Sequence, residues 1–205
     1  MLRRNAIVAA ALDEFAEKGF AAARMEDIAR RAGVAKGTIY LNFNDKEALF
    51  EAIVNQEMRP NVEALASKVA AGGSLRDFIH ETLLPLVGDL ARTRRGVVVR
   101  LLLSEAGRFP KLAEVYYQLV IGPALDSIRT LLQAKDRGEL KAMMLLQFPQ
   151  LLVAPIPMAV IWTGLFERFE HLDVERMAHA YFDFLLGEKP ARRASSRKVR
   201  KARDE

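Results

Sequence analysis

The sequence contains no cysteine among its 205 residues, which excludes disulfide bridges and thiolate metal ligands. A cysteine-free chain suits the reducing cytoplasm, and we expect the protein there. Its three histidines, His80, His171 and His179, lack the close helical spacing of a zinc-binding motif. No phosphate-binding glycine loop, nucleophile–base pair or paired-carboxylate motif is recognisable either. The sequence therefore predicts no metal, no cofactor and no enzymatic activity.

The sequence has no excess of positive charge outside its C-terminal end. The net charge is +5, but residues 189–205 hold eight basic and two acidic residues, whereas the preceding 188 residues hold 23 basic and 24 acidic ones. Because this end has no apolar face, we predict a disordered basic tail. The tail would either add salt-dependent affinity for nucleic acid or act only as a solubilising end, and its composition leaves both open.

Charge is absent from one long run, residues 142–166, whose length approaches that of a membrane span. Two glutamines and the prolines Pro149, Pro155 and Pro157 interrupt this run. A helix that is apolar on most sides is also typical of a buried core or a subunit interface. We therefore predict a buried interface here and no membrane association.

Strand-like alternation is missing as well, since apolar residues recur at helical spacing along nearly the whole chain. The sequence therefore predicts an all-α protein of about nine helices. We expect a three-helix domain at residues 1–55, a helical bundle at residues 56–188, and the tail at residues 189–205. Helix ends are predicted at Gly19, Gly33 and Gly187, and N-terminal caps at Asn44–Asp45, Ser74 and Asp173.

The most informative pattern lies in residues 25–43, which read MEDIARRAGVAKGTIYLNF. Ala29 is small enough for two helices to cross there, and Gly33 permits the positive φ of a tight turn. Apolar side chains would point inward from both helices and the turn, as in a helix–turn–helix. The second helix would then present groups that can contact bases: Lys36, Thr38, Tyr40, Leu41 and Asn42.

Together with IVAAALDEF at residues 7–15 and EKGF at residues 17–20, this pattern resembles the DNA-binding domain of TetR-family transcriptional regulators. The resemblance runs without gaps from about residue 5 to residue 55. It implies that the second helix is a recognition helix lying in the major groove, with Lys46 on a phosphate. The DNA-contacting residues implied are Arg24, Lys36, Gly37, Thr38, Tyr40, Leu41, Asn42 and Lys46.

The sequence departs from the family where hydroxyl side chains usually precede the second and third helices. Ala23 and Arg24 stand at the first of these places and Ala35 at the second. Arg24 would replace a hydroxyl contact by a charged one. Because alanine cannot accept a hydrogen bond with its side chain, we expect an uncapped recognition helix.

The resemblance implies that residues 56–188 form an effector-binding and dimerisation domain and that the protein is a homodimer. The run RLLLSEAGRFPKLAEVYY at residues 100–117 is similar to AefR-like regulators within the family. Candidate effector-pocket residues are Arg100, Phe109, Tyr116, Tyr117 and Trp162. Candidate dimer-interface residues on the last two helices are Trp162, Leu165, Phe166, Tyr181, Phe182 and Leu185.

Arg100 stands out because it interrupts the apolar run VVVRLLL. It would face solvent, pair with Glu105 or another neighbour, or meet an anionic effector. The family resemblance implies a repressor that a small lipophilic effector releases from a palindromic operator, and an activator would use the same DNA-binding surface. The alternative is an architectural DNA-binding protein without sequence readout.

Overall fold

The computed structural model describes residues 2–135 and 140–187, and within these ranges the chain is helical with no strand, which confirms the all-α prediction. The predicted basic tail lies outside the described residues. Thirteen α-helical segments occur in the described part: α1 (Leu2–Ala22), α2 (Met25–Arg31), α3 (Lys36–Asn42), α4 (Lys46–Glu57), α5 (Arg59–Ala70), α6 (Leu75–Phe78), α7 (Leu84–Arg92), α8 (Arg94–Glu105), α9 (Pro110–Tyr116), α10 (Gly122–Lys135), α11 (Leu140–Gln147), α12 (Pro155–Leu165) and α13 (Val174–Leu186).

The number of segments exceeds nine partly because π-helical turns divide two longer helices. One turn, Ile79–Leu83, joins α6 to α7, and another, Tyr117–Ile121, joins α9 to α10. A proline follows each turn, Pro85 and Pro123 respectively. Because proline has no N–H for the helical hydrogen bond, a locally wider turn accommodates it. The α-helical pattern is therefore interrupted just before each of these prolines.

Local capping chemistry sets the helix ends that the sequence predicted. The Asp45 carboxylate accepts from the Ala48 N–H at 2.7 Å, and the Asp173 carboxylate accepts from the Arg176 N–H at 3.0 Å. A capping box formed by Ser74 and its third neighbour begins α6. At the other end of α13, Gly187 adopts a left-handed conformation with φ 72°. These caps are confirmed.

Two apolar clusters form the interior. The first joins α1–α4 to α8, α9 and the turn before α10, so that Phe50 and Val98 belong to one core. The second lies among α5–α7 and α10–α13. Because the first cluster crosses residue 55, the N-terminal helices are not packed as an independent unit. The division at that residue stays a prediction.

The uncharged run does not form one continuous helix. Within the described residues it is divided among α11, a 3₁₀ turn at Pro149–Leu152, and α12. Among the helices of residues 2–135 and 140–187, none combines the length and the apolar character needed to span a bilayer.

Candidate nucleic-acid interface

The helix–turn–helix predicted at residues 25–43 is present, with α2 and α3 as its two helices. Gly33 provides the turn with φ 66°, and the Val34 N–H donates back to the Ala29 carbonyl at 3.0 Å. Ile28 and Ile39 are completely buried between the two helices and the first core. Burial of these side chains fixes which face of α3 remains outside.

The outward face of α3 carries the side chains that the sequence assigned to base contacts. Lys36, Gly37, Tyr40 and Asn42 are exposed, and Thr38 is partly exposed. Leu41 is 87% exposed, which is unusual for a leucine in a folded protein. An apolar side chain flanked by hydrogen-bonding groups matches the edge of a base pair that carries a thymine methyl group.

In the free protein, two of these side chains contact a carboxylate of α2. Glu26 Oε1 lies 3.0 Å from Lys36 Nζ and accepts from the Tyr40 hydroxyl at 3.4 Å. The hydrogen bond from Lys36 lowers the pKa of Glu26, and the carboxylate in turn raises the pKa of Lys36. The sequence analysis did not assign Glu26, because the local pattern does not show which side chain of α3 it contacts.

Lys46, predicted to bind a phosphate, already has partners within the chain. Its ammonium donates to the carbonyls of Phe20 at 2.5 Å and Ala21 at 3.1 Å, and it lies over the Phe20 ring. Desolvation by burial lowers the pKa of Lys46, although the charges of Glu47 and Glu105 act in the opposite direction. A phosphate contact would have to use the third N–H of the ammonium.

The departures at the helix starts have the expected consequences. Ala35 is the N-cap of α3 and Arg24 the N-cap of α2, and neither side chain makes a capping hydrogen bond. The Arg24 side chain is exposed at the start of α2. Arg4, which the sequence analysis did not assign, lies with its guanidinium 4.9 Å from the ring centre of Phe43, directly after α3. The signal in the sequence for this residue was the adjacent pair Arg3 and Arg4 near the N-terminus.

The structure places the predicted pocket residues in different surroundings. Tyr116 is buried, which raises its pKa, whereas Tyr117 is 57% exposed. Phe109 packs against the Phe20 ring, with the ring centres 5.0 Å apart. The Trp162 indole N–H donates to the Glu170 carbonyl at 2.9 Å. Their assignment to an effector pocket stays a prediction.

Arg100 does not pair with Glu105, which was one of the three predicted alternatives. Glu105 instead accepts the Phe20 N–H at 3.1 Å. The Arg100 side chain is half-buried against Gly164 of α12, where an added Cβ would lie 2.8 Å from its Cδ. It has no ion-pair partner in the part of the chain that the structure describes.

A cleft of about 540 Å³ lies elsewhere, between α7 and α13. The rings of His80 and His179 face each other across it at 6.0 Å, and an ion pair joins Arg92 to Glu175 at its rim. None of the predicted pocket residues lines this cleft. Over the described residues, no group of three or more histidine and acidic side chains is placed to hold a metal ion.

The predicted dimer-interface residues divide into an inner and an outer set. Phe182 is 1% exposed and Leu185 is 9% exposed, so both belong to the chain's own second core and were wrong predictions. They share the inward face of α13 with Ala178, following the helical period. The Tyr181 hydroxyl donates to the Leu151 carbonyl at 2.6 Å, and Trp162 is half-buried.

The outer set is exposed in the single chain. Leu165 and Phe166, which were predicted, are 61% and 42% exposed. Three residues that the prediction omitted are as accessible: Phe184 at 84%, Phe169 at 72% and Met158 at 43%. We call these five residues the apolar face. The helical period places Phe184 on a different face of α13 from Phe182, but the sequence does not show which of the two faces is buried.

A helix–turn–helix with an exposed recognition helix, packed on a helical body, defines the class of helix–turn–helix regulators. Residues 7–53 match the family model "Bacterial regulatory proteins, tetR family", and residues 69–181 match "Tetracyclin repressor-like, C-terminal domain". The chain belongs to the tetR family of bacterial regulatory proteins.

Individual relatives agree with this assignment. The HTH-type transcriptional regulator UidR of Escherichia coli K12 is 31% identical over 110 residues, which is 54% of this chain and 55% of UidR. The chain thus spans about half the length of this curated relative. A tetR-family regulator from Mesorhizobium loti is 26% identical, with a TM-score of 0.66 over 90% of this chain and 95% of that one. The SmeT–triclosan complex is 21% identical, with a TM-score of 0.71 over 91% of each chain.

Proposed function

We propose that this protein is a transcriptional regulator that binds a palindromic duplex operator as a homodimer and is released by a small effector. The observation that carries the proposal is the outward face of α3, where Leu41 is 87% exposed among hydrogen-bonding side chains. Solvating that leucine gains nothing for the free protein, whereas a thymine methyl would remove it from water. The family match supports the same surface as the DNA-binding one.

The dimer is supported by the apolar face. One helix–turn–helix contacts only a few base pairs, so specific binding calls for two copies at the spacing of a palindrome. Five large apolar side chains are exposed on α12, on α13 and in the segment between them, and a large exposed apolar patch is typical of an interaction surface. A second copy, related by a twofold axis, would cover this surface with the same surface of its own.

The effector proposal rests on the family match and on one relative. The C-terminal family model spans residues 69–181, and the SmeT structure is a complex with triclosan, a small apolar molecule. In this chain the unpaired, half-buried Arg100 supports an anionic group on the effector. The similarity of residues 100–117 to AefR-like regulators stays a prediction that no comparison tests.

Selection of bound duplexes from a random pool tests the proposal. We expect an inverted repeat, bound with a dissociation constant of about 10⁻⁸–10⁻¹¹ M and at least about a thousandfold more tightly than random duplex. An architectural protein would enrich no inverted repeat and would bind both duplexes equally. The same titration with residues 189–205 removed tests the role of the tail. If the tail binds DNA, its removal should flatten the salt dependence of the affinity. If the tail is only a solubilising end, the salt dependence should not change.

Replacing Glu26 by glutamine is expected to raise the affinity for the selected duplex about two- to fivefold. In the wild type, Lys36 must leave Glu26 before it contacts a phosphate, and the freed carboxylate then attracts a cation. The variant loses this compensation, so the slope of log affinity against log salt should steepen by about 0.9. Fluorescence anisotropy over a salt series measures both quantities.

Glu63→Gln is the matched control, because Glu63 is also an exposed acid in an ion pair, with Arg59 on α5. It removes the same charge from another part of the protein. Equal slopes for Glu26→Gln and Glu63→Gln would mean that Glu26 affects binding only through the net charge. That result would contradict a role for its ion pair with Lys36.

A further inference from the structure

The backbone of Phe20 contacts a charged side chain at both its N–H and its carbonyl. Its N–H donates to Glu105 Oε1 at 3.1 Å, and its carbonyl accepts from the Lys46 ammonium at 2.5 Å. The two partners come from different parts of the chain, since Glu105 ends α8 of the body and Lys46 begins α4. The Phe20 ring is fully buried beside Phe109, which follows α8.

Gly19 makes this arrangement possible. Its backbone (φ 77°, ψ 160°) interrupts the helical conformation of α1 and frees the next N–H from the helical ladder. Such a conformation is essentially confined to glycine. A Cβ at this position would also lie 2.7 Å from Glu105 Oε1. The glycine therefore supplies both the turn and the space that the carboxylate needs.

One face of α8 lies along α1 and ends in this contact. Arg94, Val98, Leu101 and Glu105 follow each other at helical spacing on that face. Arg94 contacts Asp13 and the Ala9 carbonyl, so the two helices run in the same direction and are joined by polar contacts near both ends. Arg100 lies about 140° around α8 from Glu105 and packs on α12 instead.

The Glu105 contact is a costly one for the protein to keep. The second carboxylate oxygen, Oε2, is buried and has no hydrogen-bond partner among the described residues. A half-satisfied buried carboxylate destabilises a fold relative to an apolar side chain of the same size. In return, Glu105 accepts a directional hydrogen bond from the Phe20 N–H in the DNA-binding half, 85 residues away along the chain.

We propose that Glu105 is the positioning residue that fixes the orientation of the helix–turn–helix relative to the body, acting through the N–H of Phe20. Lys46 donates to the carbonyl of the same residue and so links this position to α4, which follows the recognition helix. Because Glu105 and Arg100 share one rigid helix, a ligand that displaces α8 at Arg100 also displaces the acceptor of the Phe20 N–H. This role rests on the proposed function, but its test requires no DNA.

The test uses distances within one chain. Because the sequence has no cysteine, Asn44→Cys near α3 and Thr130→Cys on α10 place spin labels at two exposed sites only. Dilution with unlabelled protein leaves only intrachain pairs in a pulsed dipolar measurement. Glu105→Gln keeps an oxygen acceptor for the Phe20 N–H, whereas Glu105→Met keeps the length without an acceptor.

We expect Glu105→Gln to retain the wild-type distance distribution and Glu105→Met to shift its mean by about 2 Å or to broaden it. A purely space-filling role would give the opposite result, with Glu105→Met unchanged. That result, or an equal displacement by the glutamine variant, would overturn the proposal.

Amide hydrogen exchange in the wild type provides a second test, which does not require any variant to fold. The Phe20 N–H should exchange far more slowly than an exposed amide, because its acceptor is fixed in the body. Exchange of the Phe20 amide at the rate of an exposed loop amide in the folded wild-type protein would also overturn the proposal.

Discussion

The Phe184→Asp variant is expected to be monomeric and to bind the selected operator at least about a hundredfold more weakly than the wild type. Phe184 is 84% exposed in the single chain and lies on the apolar face. In a twofold dimer the substitution would bury two unpaired carboxylates, one from each subunit. Sedimentation velocity gives the mass in solution, and anisotropy gives the affinity.

Tyr117→Asp provides the control for this experiment. Tyr117 is also an exposed aromatic residue, at 57%, but it lies in the turn between α9 and α10, away from α12 and α13. This variant should remain dimeric and should bind the operator as the wild type does. If the Phe184→Asp protein sediments as a dimer, the apolar face is not the subunit interface.

The Phe20→Ala variant is expected to lower the free energy of unfolding by about 3–5 kcal/mol. Phe20 is fully buried, with the ring centres of Phe15 and Phe109 each 5.0 Å away and that of Phe50 at 6.5 Å. The substitution leaves a cavity where the N-terminal helices meet the body. Denaturant unfolding at one fixed protein concentration measures the change, because dimer stability depends on concentration.

Leu41→Ala is the matched control for the loss of a large apolar side chain. Because Leu41 is 87% exposed, its removal should change the free energy of unfolding by less than about 0.5 kcal/mol. It should instead weaken the preference for one base pair in each half-site. Similar losses of stability in both variants would show that burial of Phe20 between the N-terminal helices and the body does not stabilise the fold.

Several features of the fold follow from local chemistry and were therefore predictable. Gly33 at the tight turn and Asp45 at the start of α4 act through their own backbone and their near neighbours. The same is true of Ile28 and Ile39, whose spacing fixes the inward face of the helix–turn–helix. Because these signals are local, the sequence was enough to locate α3 and its exposed side chains.

The contacts between distant elements were not predictable from the sequence. Nothing near Glu105 indicates that its acceptor bond goes to Phe20, and nothing near Glu26 indicates that it pairs with Lys36. The wrong assignment of Phe182 has a different origin. Several aromatic residues occur close together on α13, and only the packing of that helix decides which of them face inward.

The central claim is that two copies of α3 read the two halves of one operator. Hydroxyl-radical footprinting on the selected duplex, by the wild type and by Leu41→Ala, tests this claim most directly. We predict two protected segments whose centres are about 34 Å apart, or a multiple of this. We also predict that the leucine substitution relaxes the base preference at one equivalent position in each segment. Unbroken protection that does not depend on sequence, and that the substitution leaves unchanged, would contradict the account.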